Sequence, residues 1–272
     1  MIGIFDSGLG GLSVLREIVK VLPDEKYVYY ADSAHCPYGD KTREYVIGRA
    51  RHITDFLISK GAALIVVACN TATAAAISVL RAEYPQMKFV GMEPAVKPAA
   101  LHTRSGVIGI LATAGTLKGG NYLDLREKYS EQVTVTEHVG RGFVELVENG
   151  IVEGPVAEKT VEAAVRPLLE QGADTIVLGC THYPFLEKVI RKVCGPDVEI
   201  INPAPAVAQQ TLRLHGAASA TTQEGQEGIQ QQPDRPSKKP SMEFFSSGSV
   251  ILDGTLAREC GINTDNIWRK ES

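Results

Sequence analysis

Two cysteines carry the most chemistry in this chain. Cys69 sits in the segment Gly61–Thr71 and Cys180 in Gly172–His182, and the two segments align at an offset of 111. Gly, Ala, Ile, Val and Cys coincide between them. A free cysteine is most often a small buried hydrophobe. Here each thiol closes an apolar run and is followed by amide, hydroxyl or imidazole groups: Asn70 and Thr71 in one case, Thr181 and His182 in the other. Two further echoes keep the same order. Ile2–Ser7 lies over Ile108–Thr113 at an offset of 106, and Met92–Ala95 over Ile201–Ala204 at 109. Two related halves facing each other would bring Cys69 and Cys180 to opposite sides of one cleft. Two acid/base groups on opposite faces of one carbon remove a proton from one side and return it on the other, which is racemisation or epimerisation. The thiolate is the base, so Asp6 and His182 are the groups expected to set each thiol's protonation state.

The elements that must position these groups are strands and crossover helices. Ile2–Phe5, Tyr27–Tyr30, Leu64–Val67, Lys88–Val90, Val107–Leu111, Val133–Val135, Thr175–Leu178 and Glu199–Ile201 are short runs apolar on both faces, as buried parallel strands require. Residues 42–60 place Val46, Ala50, Ile53 and Leu57 at helical spacing. Alternation of this kind predicts an α/β fold of two pseudo-symmetric, doubly wound parallel-sheet lobes with the site in the cleft between them. The expected lobes are 1–97 plus 206–272, and 98–205. Ligands of such sheets bind outside the carboxyl ends of the strands. Asp6–Ser13 lies there too, a glycine-rich turn whose backbone N–H groups suit a carboxylate or phosphate. It is neither GxGxxG nor a P-loop, so nucleotide binding is not supported.

Composition narrows the class. Lys+Arg 28 against Asp+Glu 32 leaves a net charge of −4, and no basic block exceeds the pair Lys238-Lys239, so no nucleic-acid partner is expected. No apolar run approaches the roughly 18–20 residues that span a bilayer, and the start Met1–Asp6 lacks a basic n-region. Five cysteines, an odd number with no CxxC pair, point to reduced thiols and the cytoplasm. Cys36, Cys194 and Cys260 have no symmetric partner and read as structural or incidental. His35-Cys36 and Cys180-Thr-His182 are two short pairs far apart, a poor zinc framework, so no metal is expected. No lysine ends a strand to form a Schiff base, and paired thiols need no cofactor. Residues 216–241 carry one large aliphatic residue, Ile229, and read as a disordered insertion. Met242–Gly248 is then the final strand, followed by a short helix.

Four motifs carry a resemblance. Asp6–Val14, Pro37–Gly39, Val67–Ala72 and Leu178–Pro184 closely resemble the cofactor-independent aspartate/glutamate racemase family, in the right order and over all of the chain except 216–241. The resemblance implies interconversion of L- and D-glutamate, supplying D-glutamate for peptidoglycan. It implies that Cys180 takes the α-proton from L-glutamate and Cys69 from D-glutamate. Asp6, Ser7, Tyr38, Gly39, Asn70, Thr71, Thr181 and His182 match substrate-contacting positions, and Asp32 and Glu148 match carboxylates that assist the thiols. The chain departs from the family before Glu148, where Gly140-Arg141-Gly142 replaces a usual Cys-Pro pair.

Three readings stay open at this point. The substrate is glutamate, or it is aspartate or another amino acid, or the scaffold is a non-catalytic binding module. Both thiols argue against the last. A small-molecule substrate is the expected partner, and the sequence leaves a homodimer open.

Overall fold

Burial, rather than alternation, makes the strands. In β1 (Ile2–Asp6) every residue is buried, and β3 (Leu64–Val67) and β7 (Thr175–Gly179) repeat the pattern. Each fully buried Ile or Val contributes about 1.5–3 kcal/mol relative to exposure. The structure, a computed structural model, describes residues 1–221, 241–249, 260 and 268–270. The remaining strands there are β2 (Lys26–Ala31), β4 (Lys88–Gly91), β5 (Val107–Ala112), β6 (Thr134–Val139), β8 (Glu199–Ile201), β9 (Ser241–Ser246) and β10 (Trp268–Lys270). They form two wholly parallel sheets, ordered β10-β9-β2-β1-β3-β4 and β6-β5-β7-β8. The first draws on both ends of the chain. This is the two-lobed α/β fold that the strand–helix alternation predicts.

Helix Arg43–Ser59 buries Val46, Ala50, Ile53 and Leu57, the stripe read from the sequence. Helix Leu12–Val21 packs on helix Ala204–Thr221. Register carries the chemistry to one edge. Phe5 pairs with Tyr30 and Val67, which places Asp6 beside the turn that holds Cys69. In the second sheet Ala112 pairs with Gly179, so Thr113 and Cys180 leave adjacent strands together.

The carboxyl-terminal region differs from expectation. Helix Ala204–Thr221 runs six residues into the tract 216–241, and β9 begins on the last residue of that tract. Alanine-rich 216–221 keeps helix propensity without needing large apolar groups. The middle of the tract, 222–240, lies outside the described residues, as does the helix expected after β9. Nor is β9 the final strand. β10 follows it, and its Trp268 ring meets Tyr29 at 5.9 Å and Phe244 at 5.2 Å. A three-residue strand with two basic residues has no period for sequence to show. Among the described residues no helix is long and apolar enough to cross a membrane.

Candidate active site

The carboxyl ends of β1, β3, β5 and β7 converge on a narrow cavity of about 10 Å³. Ser7, Tyr38, Gly39, Cys69, Asn70 and Thr71 line it from the first lobe, and Thr113, Cys180, Thr181 and His182 from the second. All the substrate-contacting positions implied by the resemblance, except Asp6, line this one space. Asp6 lies directly behind it. Both thiols are buried, 5% and 7% exposed, one contributed by each lobe.

Cys69 is held by a helix. It is the N-cap of Asn70–Glu83, and its sulfur accepts the Ala72 N–H at 3.4 Å, a place more often taken by a hydroxyl or carboxylate. Its own S–H reaches the Ser7 hydroxyl at 3.8 Å. The helix end favours a thiolate, but burial and the nearby Asp6 charge win and push the Cys69 thiol well up. Cys180 of the other lobe adds to that push. Cys69 is therefore a neutral thiol in this state, and a strong base once ionised.

Asp32 is buried behind Tyr38. Its carboxylate accepts the Tyr38 hydroxyl and a two-pronged Arg49 guanidinium, at 2.9 Å from Nε and 2.8 Å from Nη2. These partners are not thiols, so Asp32 reaches Cys69 only through Tyr38, whose ring shares the cavity. Paired this way, the buried charge is compensated.

The Cys180 side is a relay. His182 Nδ1 lies 3.7 Å from Cys180 Sγ, and Nε2 lies 2.6 Å from Glu148 Oε1. Glu148 also accepts the Leu9 N–H at 2.6 Å. Gly10 N lies 3.3 Å from Nε2, but a nitrogen donating to Glu148 has no lone pair for it; the shorter contact places a proton on Nε2. Burial alone would lower the His182 pKa. Hydrogen bonds with Cys180, Cys36 and Glu148 outweigh it and hold the imidazole well above its usual range. Thr181 spans the cleft, its hydroxyl on Asp6 Oδ1 at 3.1 Å and its carbonyl accepting Ser13 Oγ at 2.9 Å.

The glycine-rich turn does bind carboxylates, but they are the protein's own. Gly8 N–H donates to Asp6 and Leu9 N–H to Glu148. A Cβ at Gly10 would stand 2.3 Å from His182 Nδ1, and one at Gly8 2.1 Å from Glu148 Oε1. The glycines let the turn press against the relay. Gly140-Arg141-Gly142 has a similar reason: Gly142 takes φ 82°, and a Cβ at Gly140 would meet the Tyr183 hydroxyl at 2.6 Å. Helix Phe143–Glu148 starts from that turn and ends on Glu148.

Two residues escaped the sequence reading. Thr113 lines the cavity and its hydroxyl meets Thr71 at 2.8 Å and Thr116 at 2.9 Å, bridging the lobes. It stands opposite Ser7 in the internal repeat, which is the signal that marks it. Cys36, read as structural or incidental, lies against His182 and Glu148, with one donor atom of each within 4.8 Å of the others. No local spacing announces that contact between positions 36, 148 and 182.

Asn70 completes the site. It is 3% exposed, yet neither end of its amide has a hydrogen-bond partner among the described residues. Such a group costs about 1–3 kcal/mol unless a ligand satisfies it. The cavity thus offers one thiol from each lobe and an amide awaiting a polar guest.

A sequence profile described as Asp/Glu/hydantoin racemase matches residues 2–211. The chain belongs to this racemase family. It is 50% identical over 253 residues to the glutamate racemase of Methylococcus capsulatus, covering 93% of this chain and 89% of that one. Among solved structures of the family, the glutamate racemase isoform RacE1 from Bacillus anthracis superposes with a TM-score of 0.82 at 30% identity, over 100% of this chain and 97% of that one. Escherichia coli glutamate racemase, in complex with L-glutamate and the activator UDP-MurNAc-ala, gives 0.81 at 29% identity, with 100% and 97% covered. Both racemases share the two-lobed fold.

Proposed function

We propose that the chain is a cofactor-independent glutamate racemase in which Cys69 and Cys180 act as the two acid/base groups. The observation that carries the reading is the pair of buried thiols, one from each lobe, that line one narrow cavity. Similarity to relatives named glutamate racemases supports glutamate as substrate.

Starting from L-glutamate, the Cys180 thiolate takes the α-proton. The electron pair left on the α-carbon spreads into the adjoining carboxylate, and the Cys69 S–H gives its proton to the opposite face. The turnover leaves Cys180 as thiol and Cys69 as thiolate, ready for the reverse reaction on D-glutamate. An α-proton is weakly acidic, so the base must be strong. Burial and Asp6, which make Cys69 hard to ionise, make its thiolate such a base. The substrate ammonium supplies the opposite charge that ionisation needs. On the other wall His182, oriented by Glu148, manages the proton of Cys180. Asn70, Ser7, Thr71, Thr113 and Thr181 offer the amide and hydroxyl groups for the substrate carboxylates. Tyr38 and Gly39 close the first-lobe wall, and Asp32 fixes Tyr38. The lobes 1–97 plus 206–272 and 98–205 part to admit substrate and close to exclude water. The product is D-glutamate for peptidoglycan, in the cytoplasm.

Exchange at the α-carbon tests this directly. In deuterated water without added cofactor, either enantiomer of glutamate should gain α-deuterium and racemise. Absence of exchange with glutamate but exchange with aspartate would transfer the mechanism to another substrate. Absence with both would leave a binding module.

A further inference from the structure

We infer that Cys36, His182 and Glu148 form a site for a borderline divalent cation such as zinc, whose occupation reversibly stops the reaction. The inhibitory part rests on the proposed racemase reading. The binding part does not.

The donor set comes first. A thiol sulfur, an imidazole nitrogen and a carboxylate oxygen lie within 4.8 Å of one another. Around tetrahedral zinc, with bonds of about 2.0–2.3 Å, donor atoms stand roughly 3.3–3.8 Å apart. Mixed S, N and O donors suit zinc and its neighbours rather than magnesium or calcium. Three protein ligands leave a fourth position for water.

The chain brings these donors together from three distant segments. Cys36 follows the 3-10 turn Ser33–His35 of the first lobe, whereas Glu148 ends a short helix and His182 follows β7 in the second. A cation here would tie the lobes to each other. Access and charge favour it as well. His182 is 1% exposed, but the Glu148 side chain is 21% exposed and Cys36 is half-buried. Asp6, buried close by, adds a negative charge felt by both Cys36 and His182.

Binding balances by proton release. The cation replaces the proton between His182 Nε2 and Glu148 Oε1, and the Cys36 thiol gives up its own. The Nε2–Oε1 separation of 2.6 Å must widen to about 3.3 Å, which the partly exposed Glu148 can supply. Two protons leave per cation, so binding tightens as pH rises. With His182 and Glu148 held by the metal, Cys180 loses its relay.

The test uses cobalt(II) as a spectroscopic probe and zinc as the competitor, on the full chain. Wild type should bind one cobalt with a sulfur-to-metal charge-transfer band that zinc abolishes. Cys36→Ser should lose the band and bind at least about tenfold more weakly. Cys69→Ser should keep the band. Zinc should inhibit wild-type racemisation and inhibit Cys36→Ser at least about tenfold less strongly. In wild type, zinc should also shield Cys36 from alkylation while Cys194 stays reactive, a readout that needs no variant. A band that survives Cys36→Ser but vanishes in Cys69→Ser, or alkylation of Cys36 undiminished by zinc, would overturn the assignment. Metal binding without loss of racemisation would overturn only the inhibition.

Discussion

The Thr181 hydroxyl donates to Asp6 Oδ1 at 3.1 Å, joining the strand end of one lobe to the loop after the other lobe's cysteine. That bond, with the Gly8 N–H on Oδ2, is what compensates a carboxylate with no solvent contact. It compensates only in part. Burial raises the Asp6 pKa above 3.8, with His182 pulling the other way. Folded protein therefore holds this proton more tightly than unfolded protein. The stability that Asp6 contributes is complete below about pH 3.8 and declines as pH climbs through the folded value. Asp6→Asn should raise the melting temperature by roughly 1–4 °C at pH 7.5 and by nothing near pH 3.5. Racemisation should fall at least about 100-fold. Melting curves at the two pH values decide it; an equal shift at both would refute the burial argument.

The two thiols should fail differently. Cys69→Ser and Cys180→Ser should each lower glutamate racemisation by about 10²–10⁴-fold, because neither wall suffices alone. A substrate with a β-leaving group needs only one base. Cys69→Ser should still eliminate from the L enantiomer, and Cys180→Ser from the D enantiomer. Near wild-type racemisation by either variant ends the two-base reading.

Glu148 bonds His182 and the Leu9 N–H, and neither bond reaches Cys69. Glu148→Gln keeps the shape and removes the charge behind His182. Elimination from the L enantiomer should drop about 10–30-fold, the difference between a charged and a neutral hydrogen bond. Elimination from the D enantiomer should stay within about threefold. A uniform loss on both faces would assign Glu148 a structural role.

Asn70 is costly until something binds it. Asn70→Leu removes both unsatisfied amide ends and should stabilise the ligand-free protein by about 1 kcal/mol. The same change should lower kcat/KM for glutamate about 10–100-fold and abolish the rise in melting temperature that glutamate gives the wild type. A destabilised variant that still responds to glutamate would show that the amide has a partner within the protein.

The chain announces its fold where the signal is local. The apolar runs at β1, β3, β5 and β7 are buried on both faces, so their composition alone marks them. Cys69 and Cys180 are legible because the sequence repeats itself. Thr113 is marked by the same repeat, opposite Ser7. Contacts made across the fold leave no such trace. Arg49 on Asp32 joins a helix to a loop 17 residues away, and Cys36 meets His182 only because two lobes close. β10 is too short to show a period, and its place is fixed by Trp268 packing on Tyr29 and Phe244.

The hydroxyls of Thr71, Thr113 and Thr116 form a small latch between the lobes. Both thiols are buried beside it, so on the proposed reading substrate entry requires those bonds to part. Solvent drag then enters the kinetics: when opening rather than proton transfer is slow, turnover slows in proportion to viscosity, and an α-deuterated substrate is turned over as fast as the ordinary one. Loosening the latch with Thr116→Val would shift the balance, so that deuterium begins to matter and viscosity ceases to. In the wild type, three hydroxyls remote from the proton transfer would set the pace.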